Sequence, residues 1–200
     1  GPSQDLSGVD SEGLTEEGES QLMPHGKAPI HVDFSSFGYR HGIPVGNRTS
    51  MSYKIPFAAF DCRDLCRVDP SQERLDGLTG SVKRYLTSAE SPNVTELAED
   101  IASKTFGALV EAIDSGHGFA DNLRMTIFVG SDYGRHRSVV AAELAAVHLR
   151  NLLRANQKNR IKQPCSVGTF HRDIDKAVDI HKTFEEGWKN GGASEWDDAW

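Results

Sequence analysis

Cysteine is scarce in this 200-residue sequence, and its scarcity excludes several classes of protein. The three cysteines, Cys62, Cys66 and Cys165, form an odd and sparse set, unlike the paired framework of a small secreted protein. Cys62 and Cys66 are four residues apart, but no second pair of ligands accompanies them, which argues against a zinc site. We therefore expect a reduced, cytoplasmic protein with no bound metal and no cofactor.

Long apolar stretches are also missing. No run approaches the roughly 18 residues that a membrane-spanning helix requires, and no secretory hydrophobic segment is present. We expect no membrane partner. The formal net charge is −7, so the chain as a whole lacks the positive charge with which nucleic-acid-binding proteins attract phosphate groups. Any attraction to nucleic acid would have to come from a local basic patch.

Composition divides the chain into three parts. Residues 1–26 are rich in Gly, Ser, Glu and Gln and poor in large apolar side chains, which predicts a disordered tail. Residues 186–200 form an acidic tail that contains three tryptophans. Between these tails, residues 27–185 alternate strand-like apolar runs with amphipathic helical patterns, which predicts one α/β domain. The predicted strands are 28–34, 55–61, 123–129 and 164–171, and the predicted helices are 81–87, 92–116, 137–157 and 176–184.

We expect a small, mostly parallel, Rossmann-like sheet of about four strands flanked by helices. The run from Leu123 to Val129 is apolar except at Arg124 and Thr126, and continuous apolarity is typical of a central strand covered on both faces. The helical pattern 92–116 carries its apolar residues on one face, and Asn93 or Thr95 precedes it as a cap.

The most informative stretch joins the strand ending at Val129 to the helix beginning near Arg137. Gly130 and Gly134 allow the backbone to curl, so that loop N–H groups and the positive end of the helix dipole point to one place. Arg135 and Arg137 would then close on a bound anion such as phosphate. The alternative is an ordinary turn whose cations face water. The predicted anion-binding residues are Gly130, Ser131, Asp132, Tyr133, Gly134, Arg135, His136, Arg137 and Ser138.

Two further loops follow predicted strands, where ligand groups collect in parallel sheets. Arg40, His41 and Gly42 come after the first strand, and Asp61 and Arg63 come after the second. For the first loop the alternative is a surface turn. For the second it is that Asp61 and Arg63 pair with each other or with neighbouring loops. Both loops are candidate parts of the ligand site.

The spacing Ser131-x5-Arg137-Ser138 resembles the phosphate loop of cysteine phosphatases with the nucleophilic cysteine replaced. A serine hydroxyl is a poor nucleophile unless a base removes its proton, and His136 is a candidate for that base. Binding without turnover is the favoured interpretation. An enzyme that acts on a phosphate ester through His136 is the alternative.

A local basic cluster lies at the C-terminal end of the predicted helix 137–157, in an otherwise acidic chain. Cations are favourable at a helix C-terminus in any case. The cluster therefore has either this electrostatic role or an anionic partner such as RNA. The predicted RNA-binding residues are Arg150, Arg154, Arg160, Lys162 and Arg172.

Several long motifs occur in a specific order along the chain. They are Ser36-Phe37-Gly38-Tyr39-Arg40-His41-Gly42-Ile43-Pro44, Phe60-Asp61-Cys62-Arg63, Leu78-Thr79-Gly80, the stretch 130–139, and His171-Arg172-Asp173. Together they resemble the C-terminal domain of the RapZ family of bacterial RNase adapter proteins, over roughly residues 30–173. The resemblance implies an α/β domain that senses glucosamine-6-phosphate, binds small RNAs and engages an endoribonuclease. It also implies a phosphate pocket built from Gly130, Ser131, Asp132, Gly134, His136, Arg137 and Ser138.

The sequence departs from that family at several positions. Ser131 and Asp132 stand where the family has a cysteine and a threonine, Tyr133 where it usually has a glycine, and Asp69 where it has a histidine. No Gly-x4-Gly-Lys-Ser/Thr sequence is present, so we expect a stand-alone domain without the family's N-terminal nucleotide-binding domain.

The favoured function is a sensor or adapter module that captures a phosphorylated small molecule, either a sugar phosphate or a nucleotide. The first alternative is an RNA-binding adapter that works with an RNA-processing protein. A second copy of the chain is a further expected partner.

Overall fold

The computed structural model describes residues 28–45, 59–119, 122–156 and 160–176. Its strands are β1 (Ile30–Gly38), β2 (Phe60–Asp61), β3 (Leu123–Ser131) and β4 (Cys165–His171). Its α-helices are α1 (Gly80–Thr87), α2 (Val94–Asp114) and α3 (Arg137–Ala155). Some sequence predictions lie outside the described residues, namely the tails 1–26 and 186–200, most of the strand 55–61 and nearly all of the helix 176–184.

All four strands run parallel, in the order β2-β3-β1-β4. β1 pairs with β3 on one side and with β4 on the other, so that Ile30 lies opposite both Leu123 and Cys165. This sheet confirms the predicted small parallel α/β fold. β1 continues four residues beyond its predicted end, because residues 35–38 pair with the second half of β3.

The helices pack as one layer over the sheet. α3 contacts β1, β3 and β4, and α2 packs along α3. α2 begins after Asn93, whose side chain accepts hydrogen bonds from the backbone N–H groups of Thr95 and Glu96, as the sequence predicts. Small side chains allow the close approach of α3 to its neighbours, and the fully buried ones are Ala141, Ala142, Ala145 and Ala146.

β3 differs from the prediction of a strand covered on both faces. Successive side chains of a strand point to opposite faces. β3 buries Met125 and Ile127 but exposes Arg124 and Thr126. In the described part of the chain, the helices therefore cover only the face that carries Met125. Arg124 and Thr126, which interrupt the apolar run, are the exposed positions of an alternating strand. The high apolar content of the whole segment hides this alternation in the sequence.

The strand order reverses between β1 and β3. Along the sequence β1 is followed by β2, which lies beyond β3 in the sheet, whereas β3 is followed, through α3, by β4, which lies beyond β1. In parallel sheets a ligand crevice forms outside the carboxyl ends of the strands at such a reversal. The topology therefore places the loops after β1 and β3 at the expected position of a ligand site.

Candidate ligand-binding site

The loops after the strands meet at one edge of the sheet and form the carboxyl-edge site (residues 38–42, 61–65, 131–138 and 171–173). The loops after β1 and β3 touch through their backbones, since the N–H of Arg40 donates to the carbonyl oxygen of Asp132 over 3.0 Å. A Cβ atom on Gly38 would lie 2.4 Å from the carbonyl carbon of Tyr133. Gly134 has a φ of 74°. Both glycines are therefore required by the close approach of the two loops.

Ser131 and Ser138 hold the β3–α3 loop closed. Their Oγ atoms are 2.9 Å apart, and Ser131 Oγ accepts a second hydrogen bond from the N–H of Gly134 at 3.2 Å. Ser138 is fully buried and Ser131 almost so. The hydroxyl at the position of a phosphatase nucleophile thus joins the end of β3 to the first turn of α3.

The buried guanidinium of Arg137 has three acceptors. Its Nη1 atom donates to the carbonyl oxygens of Arg63 at 2.6 Å and Leu65 at 3.0 Å. Its Nη2 atom donates to the Asp132 carboxylate in a short ion pair. The arginine side chain is 8% exposed and the aspartate side chain 30% exposed. The cation predicted to bind a ligand anion therefore binds a carboxylate of its own loop.

Arg135 and His136 bond to the neighbouring segment 74–77. Arg135 Nε donates to the carbonyl oxygen of Leu75 at 2.8 Å, and its Nη2 donates to that of Arg74 at 2.6 Å. His136 Nε2 lies 2.7 Å from the same Leu75 oxygen. Because a carbonyl only accepts, Nε2 carries the proton. Burial lowers the pKa of His136, and this effect outweighs the opposite effect of the hydrogen bond.

Asp61 and Arg63 form the local pair that the sequence left open as an alternative. Arg63 donates to the Asp61 carboxylate from its backbone N–H at 2.9 Å and from Nη2 at 2.7 Å. Burial raises the pKa of Asp61, but the hydrogen bonds from Arg63 lower it more, and the net pKa is below the ordinary value. The guanidinium lies 4.1 Å from the centre of the Tyr39 ring. With 48% of its side chain exposed, Arg63 remains accessible to a ligand.

The loop after β1 contributes a second exposed cation. Arg40 is exposed and lies 5.0 Å from the centre of the Tyr133 ring. The Nε2 atom of His41 is buried and has no hydrogen-bond partner among the described residues. Gly42 has a φ of 84°, and its carbonyl oxygen accepts from Arg172 at 2.6 Å. All three predicted residues of this loop therefore lie in the carboxyl-edge site.

The central position of Asp173 in the site was not predicted from the sequence. Its carboxylate is fully buried and accepts hydrogen bonds from the N–H of Gly38 at 2.9 Å and from Arg172, with Lys176 Nζ 3.1 Å away. Burial raises the pKa of Asp173, but these donors lower it more, and the net pKa is below the ordinary value. The position of His171-Arg172-Asp173 at the end of a predicted strand was the available sequence signal for a site residue. It does not show that Asp173 accepts a hydrogen bond from the N–H of Gly38, which is distant in sequence.

A chain of polar side chains links three elements beside this site, and it was also missed. Ser36 Oγ lies 2.8 Å from His171 Nδ1, and His171 Nε2 lies 3.1 Å from the Glu143 carboxylate. Ser36 is fully buried. We therefore assign this chain to holding β1, β4 and α3 together.

The predicted RNA-binding residues fall into separate places. Arg150, Arg154 and Lys162 line one cleft at the far end of α3. Arg160 is exposed close to them in sequence. Arg172 instead lies at the carboxyl-edge site, where it pairs with Asp173. The structure thus brings together three members of the predicted set.

The described part of the chain contains neither a candidate metal site nor a candidate membrane span. No three His, Cys, Asp or Glu side chains there are grouped so that they could hold a metal ion. None of the described helices combines the length and the apolar character that crossing a membrane requires.

Comparison with known proteins shows similarity to a set of longer proteins. Three of them, each named a nucleotide-binding protein, come from Geotalea uraniireducens, Nitrosomonas eutropha and Colwellia psychrerythraea. They are 26%, 30% and 32% identical to this chain over 156, 129 and 173 residues. The alignments cover 78%, 64% and 78% of this chain but 45%, 39% and 51% of the relatives. The chain therefore spans about half the length of these relatives or less.

The family described as RapZ C-terminal domain matches residues 30–175. This range contains every described strand and α-helix, together with all the loops of the carboxyl-edge site. It also contains each of the motifs that carry the resemblance. The chain belongs to the RapZ C-terminal domain family.

Proposed function

We propose that this chain is a sensor or adapter module that captures a nucleotide, or a related phosphorylated small molecule, at the carboxyl-edge site. The names of its relatives support a nucleotide. The position of the site also supports a ligand, because parallel sheets bind ligands where the strand order reverses. Since the relatives are longer than this chain, the assignment of their binding to this domain is part of the proposal.

The observation that carries the proposal is the ion pair between Arg137 and Asp132. Two backbone carbonyls fix the guanidinium, which offers its remaining terminal nitrogen to the carboxylate. A phosphate oxygen accepts from a guanidinium in the same way as a carboxylate oxygen. Because Asp132 is more exposed than Arg137, the carboxylate can move into solvent while the cation stays in place. Ligand binding is then an exchange of Asp132 for phosphate.

The exposed rim of the site suits the rest of a nucleotide. Arg63 lies over the Tyr39 ring and Arg40 over the Tyr133 ring, which makes two flat cationic surfaces. Nucleobases stack on aromatic rings and on guanidinium planes. A nucleotide with its phosphate at Arg137 and its base at this rim would contact both the buried guanidinium and the flat cationic surfaces.

Binding is favoured over turnover by the contacts of Ser131 and His136. Ser131 shares its hydroxyl with Ser138, and His136 uses Nε2 to bond the carbonyl oxygen of Leu75. No hydrogen bond among the described residues joins Ser131 to His136. A nucleophile and its base need such a contact.

Isothermal titration calorimetry with AMP, GMP, glucosamine-6-phosphate and inorganic phosphate tests the proposal. We expect Asp132→Asn to bind the preferred compound about tenfold more tightly than the native chain, because the substitution removes the competing charge. Arg137→Lys should weaken binding by about tenfold, because a lysine lacks the planar arrangement of donors.

Asp100→Asn is the matched control, since it makes the same chemical change in the exposed pair with Lys104 on α2. It should leave the affinity unchanged. The proposal is wrong if neither the native chain nor Asp132→Asn binds any of the four compounds while both show a native circular dichroism spectrum.

A further inference from the structure

A second cleft lies between the last turns of α3 and the start of β4. Its volume is about 670 Å³, which is within the range of small-molecule pockets. Arg154 lies on α3 about 25 Å along the helix axis from Arg137, so this cleft is separate from the carboxyl-edge site. The cations of the lining are Arg150, Arg154 and Lys162, and its apolar side chains include Leu153, Ile161 and Val167.

The cations of this cleft have no acidic partner among the residues that the structure describes. Arg150 and Arg154 are four residues apart on one helix face, where like charges repel. Arg150 donates to the carbonyl oxygen of Val167 at 2.7 Å. Arg154 and Lys162 are exposed, and their side chains make no hydrogen bond or ion pair within the described ranges. The lining that the structure describes contains no carboxylate. Three cations that no described carboxylate neutralises, in a chain of net charge −7, suit an anionic ligand.

We propose that this cleft binds a small organic anion that has an apolar portion. The charged group lies between Arg154 and Lys162, and the apolar portion packs on Leu153, Ile161 and Val167. Favourable interaction with the helix dipole accounts for the arginines at the end of α3, but not for Lys162 or the apolar lining.

The lining also argues against single-stranded RNA as the occupant. Proteins that bind single-stranded RNA stack its bases on aromatic side chains. The described lining of this cleft has no aromatic residue. A compact ligand that is partly apolar therefore matches the surface better than a polymer of stacked bases.

Titration of the full chain with hexyl phosphate tests the proposal. Calorimetry gives the affinity, and methyl NMR shifts of Leu153, Ile161 and Val167 show whether the ligand occupies this cleft. Hexyl phosphate should bind about tenfold or more tightly than inorganic phosphate or hexanol, because each of these lacks one of the two recognised portions.

Charge reversal tests the cations directly. The double variant Arg154→Glu/Lys162→Glu should weaken hexyl phosphate binding by about tenfold or more. Arg84→Glu is the matched control, because Arg84 is also an exposed arginine in the last turn of a helix. It should leave the affinity and the methyl shifts unchanged. Thermal unfolding checks that each variant is folded, and the neutral variant Arg154→Gln replaces the double variant if that chain is not.

Several results would overturn the proposal. They are equal binding of inorganic phosphate, hexyl phosphate binding that survives the substitutions, and binding of a short oligouridylate RNA without binding of hexyl phosphate. The methyl shifts in this cleft should persist in Arg137→Lys, which changes the other site. Failure here is therefore distinguishable from failure of the proposed nucleotide site.

Discussion

Individual charged side chains of the β3–α3 loop bond to backbone carbonyl groups far away in the chain. Arg137 reaches carbonyl groups in the segment 63–65, and Arg135 reaches those of 74–75. A buried guanidinium needs such acceptors, because an unsatisfied buried donor is costly. The sequence shows a cluster of cations, but it does not show which carbonyl groups lie nearby, since nearly every residue has one. The residues of the candidate site could therefore be named from the sequence, whereas the acceptors to which Arg135 and Arg137 donate could not.

His136 should make the protein less stable on mild acidification. Burial lowers its pKa in the folded state, whereas the unfolded chain titrates near the ordinary value of about 6.5. Below that pH the unfolded state binds more protons, so the free energy of unfolding falls as the pH falls through this value. Urea unfolding at pH about 7.5 and about 5.5 should therefore show a larger loss for the native chain than for His136→Gln.

His148→Gln provides the comparison for this measurement, because His148 is a partly exposed histidine on α3. This control should lose as much stability as the native chain. Equal losses in the native chain and in His136→Gln would contradict the prediction.

The contact between the loops after β1 and β3 depends on two glycines that face each other. A Cβ atom on Gly134 would lie 2.5 Å from the backbone nitrogen of Gly38, and one on Gly38 would meet the Tyr133 carbonyl group. Backbone atoms cannot move aside as a flexible side chain can. The two loops, and with them the candidate phosphate-binding residues, are therefore held in a fixed relation.

Gly38→Ala should lower the free energy of unfolding by about 1 to 3 kcal/mol, because the added methyl group forces the two backbones apart. Chemical denaturation measures this change. Gly107→Ala is the control: it lies within α2 and has no atom within 4 Å of its added Cβ atom. It should stabilise the chain by up to about 1 kcal/mol, because alanine favours a helix. A Gly38→Ala midpoint equal to that of the native chain would show that the loops separate readily.

The described strands and α-helices followed from the sequence, because long periodic patterns are strong local signals. α2 and α3 end within two residues of the predicted bounds. The end of β1 was not predicted, since residues 35–38 pair with β3, and Ser35 and Ser36 also with β4, and both strands are distant in sequence. The same reason hid the role of Gly38 and its hydrogen bond to Asp173. Local pattern thus predicts the elements, and contacts between distant segments complete the site.

Asp173 connects the beginning and the end of the described chain. Its carboxylate joins the end of β1 to the segment after β4, over a sequence separation of 135 residues. Arg172 and Lys176 both pair with it, although only the carboxylate is fully buried. The two outer parts of the described sequence are thereby held at one edge of the sheet.

Asp173→Asn should lower the free energy of unfolding by on the order of 3 kcal/mol, because it removes the charge of a fully buried carboxylate that accepts hydrogen bonds from the Gly38 N–H and from Arg172. The folded-state pKa of Asp173 is lowered, so its stabilising contribution is present above the ordinary carboxyl pKa and is lost as the pH falls through the folded-state pKa. The difference between the native chain and the variant should therefore shrink in strong acid.

Urea unfolding over a series of pH values measures this difference. Asp100→Asn, in an exposed pair, should cost less than about 1 kcal/mol at any pH. A cost for Asp173→Asn as small as that of this control would contradict the role of Asp173.

The position of β1 between β3 and β4 has a consequence for synthesis on the ribosome. β1 is made first, but β3 begins about 90 residues later and β4 begins later still. At roughly 5 to 20 residues per second, β1 waits roughly 5 to 20 s for its first partner to be translated. During that interval neither partner strand of β1 has been made, and we expect the apolar side chains of this segment to favour aggregation. We therefore expect chaperones or fast translation to increase the yield of folded domain, because they protect β1 until its partner strands are made.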